Sequence, residues 1–161
     1  MYTKLAMLAV LAAAGTLTSV AAAGPAATKQ RVAITIEGLP NGPFVLTPFK
    51  AGALKRDSGT AGITYSGPRV TFRNGQKISI FSGVYTLVGK RGSLTVRERT
   101  EWVDIGSDGN GDGNVDGVAI GTWKVTRGSG EYAGIVGSGG SGHAGLGNPW
   151  NVRLEGFLTA R

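Results

Sequence analysis

"KISIFSGVYTLV", Lys77 to Val88, decides the fold. Period-two alternation and β-branched residues make it a long strand, and Gly83 near its middle marks a kink. The same texture recurs on both sides. Val32, Ile34 and Ile36 alternate in "RVAITIEG", and "VAIGTWKVT" and "NVRLEGFLT" read likewise. "SLTVRERTEWVDI" alternates from Leu94 through Val96, then switches phase near Trp102 and Val103. Nothing after residue 23 sustains the 3.6-residue apolar period of a helix.

Glycine supplies 28 of the 161 residues without a triplet period, which excludes collagen and leaves many short strands joined by glycine turns. That pattern predicts an all-β domain, a single closed antiparallel β-barrel of about eight strands. Gly83, Gly121 and Gly156 fall inside strands, where a side chain would obstruct bending or close approach. Closure removes exposed edges, which suits a chain with no cysteine to cross-link it. Residues 38–68 hold four of the six prolines and read as loops with irregular or edge strands.

The N-terminus reads differently. Lys4, the apolar run from Leu5 to Ala14 and the small-residue exit Ala21-Ala22-Ala23 form a secretory signal peptide over residues 1–23. The apolar run falls short of the roughly 20 residues that span a bilayer. The expected domain is therefore residues 24–161, secreted or periplasmic, with no transmembrane segment. The whole chain carries a formal net charge of +7. Glu101, Asp104, Asp108, Asp112 and Asp116 are half of its acids, so the remaining surface is more basic than the total implies. An anionic cell-surface polymer is one partner for such a surface. The cations are scattered and few aromatics accompany them, so specific nucleic-acid binding is not expected.

Residues 121–145, "GTWKVTRGSGEYAGIVGSGGSGHAG", resemble a recurring element of the allene oxide cyclase and dirigent barrel superfamily. There a strand opening G-T leads into G-[ST]-G-x-[YF]-x-G-x-x-G-x-G. The matching positions are Gly128, Ser129, Gly130, Tyr132, Gly134, Gly137 and Gly139, and "VRLEGFLTAR" looks like the last strand of small secreted bacterial members. The likeness covers residues 118–161 and is only architectural from 30 to 105. It implies an eight-stranded barrel whose interior holds a small apolar ligand, and a homo-oligomer, since trimers occur in the superfamily. It implies no enzyme by itself, because Glu98, Arg97, Arg99 and Tyr85 do not align with the polar groups of the plant proteins. Tyr132 is expected to plug a barrel end with its hydroxyl in water.

Candidate chemistry is sparse. His143 is the only histidine, which rules out histidine-rich zinc sites, and it reads as a surface or barrel-mouth residue. The glycine runs lack G-K-[ST] and a following helix, so they make no nucleotide loop. Glu98 and Asp104 share a strand face if no bulge intervenes, but "RERTE" reads better as a solvated cross-strand charge face.

"DGNGDGNVDG", residues 108–117, is the sharpest motif. It offers calcium ligands at alternate positions: Asp108, Asn110, Asp112, Asn114 through its carbonyl, and Asp116. Gly113 takes the turn position and Val115 the hydrophobic eighth. Ala119 stands where the bidentate glutamate belongs, and the flanks are strands, so this is no EF-hand domain. Glu101 or Asp104 are the candidate substitutes. The motif reads as a weak, structural Ca2+ site in a hairpin, with affinity of about 10⁻⁴ to 10⁻³ M; the alternative is a polar turn holding no ion. No organic cofactor is expected.

The leading expectation is a secreted, non-enzymatic barrel that binds a small apolar ligand or a surface polymer. The alternative is a barrel enzyme or dirigent-like guide acting on a hydrophobic or phenolic intermediate. The interior discriminates: an enzyme requires convergent acids or tyrosines beside an open cavity, and a structural module requires an aliphatic filling.

Overall fold

The computed structural model describes residues 27–38, 40–104, 117–144 and 151–160. The signal segment 1–23 and the candidate calcium ligands Asp108, Asn110, Asp112, Asn114 and Asp116 lie outside the described residues.

Eight antiparallel strands follow one another in a ring: β1 (Thr28–Glu37), β2 (Asn41–Pro48), β3 (Asp57–Arg73), β4 (Gln76–Gly89), β5 (Ser93–Asp104), β6 (Gly117–Gly128), β7 (Val136–Ala144) and β8 (Asn151–Ala160). Each pairs with its sequence neighbour, and β8 returns to pair with β1 from Thr28↔Ala160 to Glu37↔Asn151. The all-β expectation holds, and the described residues contain no α-helix, only a 3-10 turn at Gly130–Tyr132. None of their helices is long and apolar enough to cross a membrane.

The period-two pattern works as alternation does on a curved sheet, with one face inside and one outside. Val32, Ile34 and Ile36 of β1, Leu46 of β2, Leu87 of β4, Leu94 and Val96 of β5, and Val152, Leu154 and Leu158 of β8 fill the interior and are essentially inaccessible. This filling runs from one end up to Ile36 and Val152. Tyr132, Leu54 and Ile135 close that end, and Gln30 ties down the β2–β3 connection. Its amide donates to the carbonyls of Lys50 (2.6 Å) and Leu54 (3.3 Å) and accepts from the Leu54 amide (2.9 Å).

Residues 38–68, expected as loops with irregular or edge strands, supply β2 and most of β3, and the ring leaves neither as an edge. The prolines sit where ladder bonds are missing. At Pro43, β2 pairs with β3 but lies beyond its pairing with β1, which starts at Phe44. Pro68 falls in the register shift between Ser66 and Arg69. The strands β3 and β4 form a long hairpin about the turn at Asn74 and Gly75, both at positive φ (52° and 78°). Beyond Gly62, β3 leaves β2 behind, and this hairpin overhangs the mouth opposite the filled end.

Candidate functional site

The mouth half of the interior is not wholly aliphatic. On β5 the inward parity that begins with Leu94 and Val96 continues through Glu98 and Thr100 to Trp102. The phase switch expected near Trp102 is absent: β5 pairs with β4 without interruption from Ser93 to Val103. Two polar residues on a buried face had disguised the register. Arg97 and Arg99 point outward, as their alternation requires.

Glu98 is therefore no member of a solvated charge face; it is 1% exposed. Its Oε2 accepts a hydrogen bond from the Tyr85 hydroxyl at 2.7 Å. Its Oε1 lies 2.7 Å from Nε2 of His143, which is 7% exposed. The Tyr65 hydroxyl stands 3.2 Å from that of Tyr85. Because Tyr85 spends its proton on Glu98, Tyr65 is the donor in that contact. Four side chains from β3, β4, β5 and β7 thus form one chain, Tyr65–Tyr85–Glu98–His143. The structure joins Glu98 to His143, not to Asp104. Asp104 accepts from the Trp102 indole, and Glu101 pairs with Arg73 at 3.3 Å.

Two glycines allow close packing beside the cluster. Gly121 on β6 lies between the strands that carry Glu98 and His143, and a Cβ there would come within 2.2 Å of the Arg99 carbonyl oxygen. Gly83, the expected kink, faces inward opposite Tyr65. The Tyr65 ring lies against it, 3.1 Å from where a Cβ would stand. The bare position lets the phenol reach across to Tyr85.

Burial dominates the electrostatics. Desolvation, reinforced by the nearby Glu98 charge, pushes the Tyr85 hydroxyl far above the ordinary phenol range. Desolvation also raises Tyr65, partly offset by its hydrogen bond to Tyr85. Both phenols are thereby held as hydrogen-bond donors.

Above the cluster opens a cavity of about 480 Å³, lined by Pro40, Tyr65, Phe81, Thr100, Trp102, Ala119 and His143. Its walls are almost wholly apolar, and its polar end is the His143 imidazole and the Tyr65 phenol. In the neutral tautomer that donates from Nε2 to Glu98, His143 keeps a lone pair on Nδ1. Nδ1 has no hydrogen-bond partner among the described residues. Ser141, two residues deeper on β7, carries the one buried side-chain oxygen without a partner among the described residues. No group of three or more potential metal-ligating side chains occurs among them.

The closed end holds a second buried carboxylate that sequence reasoning did not single out. Asp57 accepts from the Tyr132 hydroxyl (2.8 Å) and from the amides of Ser58 (2.8 Å), Lys90 (3.1 Å) and Arg91 (3.2 Å). Desolvation raises its pKa, but these four donors together outweigh it and hold the carboxyl below its usual range. Tyr132 does plug this end, but its hydroxyl is buried against Asp57 rather than in water.

Comparison with protein-family models, curated proteins and solved structures finds no match to this chain.

Proposed function

We propose that the ring acts as a closed barrel of the allene oxide cyclase and dirigent-like kind and takes a small, largely apolar molecule into its mouth. A hydrogen-bonding group of that molecule meets His143 and Tyr65. The observation that carries this reading is the apolar cavity of about 480 Å³ ending on an imidazole that Glu98 orients. That volume lies within the range of small-molecule sites, about 300–1,000 Å³. Trp102 lines the cavity, so ligand entry reports directly as a change in tryptophan fluorescence. Titration with the neutral fluorophore N-phenyl-1-naphthylamine is expected to saturate, and Ala119→Leu, which fills the cavity, to abolish it. Saturation unaffected by Ala119→Leu overturns the reading.

The relay favours a second reading, acid–base chemistry on a hydrophobic or phenolic intermediate. Nδ1 of His143 takes a proton from one atom of the ligand and returns it to another, and Glu98 stabilises the imidazolium between the two steps. Tyr65, by turning its proton from Tyr85 to the ligand, donates to the oxygen on which charge develops. The net change is a proton shift or a ring closure, needing neither oxidant nor reductant. Discrimination is by solvent isotope: a bound ketone whose α-hydrogens exchange into deuterated water faster with the parent than with His143→Gln supports catalysis, and equal exchange leaves binding alone.

Export and the weak calcium ion belong to the same proposal and rest on residues 1–23 and on the Asp108–Asp116 register. A melting temperature unmoved between millimolar calcium and chelator discards the ion. A homo-oligomer is supported by the exposed apolar side chains of Val118 and Ile120 on the outer face of β6.

A further inference from the structure

The outer face of the ring carries an arrangement that neither folding nor the interior cavity uses. Arg97 on β5 stands directly opposite Lys124 on β6, a like-charge cross-strand pair that disfavours the sheet. Arg99 follows on the same face of β5, opposite Thr122. None of the three cations has an ion-pair or hydrogen-bond partner among the described residues. The acids of the surrounding face are taken: Glu101 by Arg73, and Glu155 by Arg31 and Arg153. Hydroxyls frame the cations on three strands, Ser82 of β4 opposite Arg99, Thr122 of β6, and Ser138 of β7 opposite Lys124. Together these residues line a groove on the barrel wall.

The next strand supplies an independent observation. Gly140 and Gly142 of β7 continue the outer face beside Thr122 and Ile120. A Cβ at Gly142 would meet nothing within 4 Å, and one at Gly140 only the Gly121 carbonyl oxygen at 3.9 Å. Neither glycine takes a positive φ. Packing and backbone geometry thus do not ask for glycine there, although glycine weakens a strand. What the two positions provide is a strip of bare backbone diagonal to Lys124, bordered on β8 by Arg153 and by Glu155, whose charge Arg31 and Arg153 take up, as where a ligand approaches the backbone closely.

We propose that this face binds an acidic polysaccharide. Its anionic groups meet Arg97, Arg99 and Lys124, its hydroxyls exchange hydrogen bonds with Ser82, Thr122 and Ser138, and a sugar ring lies on Gly140 and Gly142. Neighbouring strands lie about 4.8 Å apart and alternate residues about 6.8 Å along a strand, so the three charges fall within a short oligosaccharide. An acidic peptide would need a free sheet edge to extend, and β5, β6 and β7 are each paired on both sides. A single-stranded nucleic acid would add stacking of its bases on exposed aromatics to its phosphate contacts. The groove's aromatic, Trp123, is buried, with its indole N–H donating to the carbonyls of Gly140 and Glu155.

The test is calorimetric titration of the full chain with polygalacturonate oligosaccharide, uncharged dextran and single-stranded DNA, each at low and raised salt. Polygalacturonate is expected to bind, more weakly as salt rises, and dextran not to. Loss of the charge-assisted contacts in Arg97→Gln/Arg99→Gln/Lys124→Gln should weaken binding about tenfold or more. Gly140→Val should weaken it without changing charge. Lys55→Gln/Arg56→Gln/Lys90→Gln removes the same charge elsewhere and should leave affinity within about twofold, a difference well below one contact. Lys124→Gln alone should raise the melting temperature, which separates lost binding from lost fold. Equal weakening by the two triple variants reduces the effect to net charge and overturns the site. DNA binding as tight as polygalacturonate overturns the glycan in favour of any polyanion, and no polygalacturonate binding at low salt overturns the proposal outright.

Discussion

His143 and Glu98 meet at 2.7 Å across an intervening strand, with Nε2 on Oε1, and each of the two side chains is almost wholly buried. The pairing passes over β6 at the residue that has no side chain, Gly121. A buried carboxyl that receives both an imidazole and a phenol is a joint in the fold as well as a candidate proton acceptor. Its removal strands two polar groups at once.

Glu98→Ala should accordingly destabilise the protein by about 1–3 kcal/mol for each of the two groups left without a partner. Glu98→Gln keeps an acceptor for Tyr85 and the side-chain volume, so its loss should be clearly smaller. Urea unfolding of the three proteins measures the order. An alanine variant that unfolds at the same urea concentration as the parent would show that the carboxyl is not buried between Tyr85 and His143.

Gly121→Ala should cost about 1–3 kcal/mol or more through overpacking, because the added carbon would press on the Arg99 carbonyl 2.2 Å away. Gly142→Ala is the matched control. It introduces the same carbon on β7 into open space and should be neutral or stabilise by about 0.5–1 kcal/mol, the usual strand penalty of glycine. Equal effects of the two substitutions would dissolve the claim that β6 lies too close to β5 at position 121 to carry a side chain.

Much of the ring was legible in alternation alone. Val32, Ile34 and Ile36 announced an inward face, and the all-β reading followed from glycine turns between such segments. The site was not legible, for a physical reason. A period-two pattern reveals the buried face only while that face is apolar. At Glu98 and Thr100 it turns polar, and the strand then imitates a solvated face. The signal that could have found it is parity: Glu98 keeps step with Leu94 and Val96, as Tyr85 does with Leu87. What parity cannot supply is the partner. His143 lies 45 residues from Glu98 in sequence, and only closure of the strand ring brings β7 near β5. Prolines misled in the other direction, since Pro43 lies beyond β2's pairing with β1 and Pro68 in a register shift of otherwise regular strands.

Asp57 predicts a pH dependence at the closed end. Its pKa in the fold lies below the ordinary carboxylate value, so the folded state holds fewer protons than the unfolded chain in the acid range. Its contribution to stability is full above the unfolded value of about 3.9 and is lost as pH falls through the folded value. Asp57→Asn should flatten the acid limb of a stability–pH profile. Tyr132→Phe removes one of four donors and should cost about 1 kcal/mol at neutral pH. An acid limb unchanged in Asp57→Asn would move the acid lability to other carboxylates.

The tyrosines predict the opposite limb. Tyr65, Tyr85 and Tyr132 are each raised above the ordinary phenol value, all principally by desolvation. A raised phenol holds its proton in the fold after the unfolded chain has released it. The contribution to stability is therefore complete below about pH 10, the unfolded value, and declines as pH climbs beyond it. In an alkaline titration followed by phenolate absorbance, the buried Tyr85 and Tyr132 should ionise together with the loss of far-ultraviolet circular dichroism, while Tyr65, at the open mouth, ionises ahead of it. Tyr85→Phe removes the donor to Glu98 and one phenol from that cooperative step, so its amplitude should shrink while neutral-pH stability falls. Early, reversible ionisation of Tyr85 and Tyr132 with the sheet intact would mean that water reaches Tyr85, and its sealed contact with Glu98 would have to be abandoned.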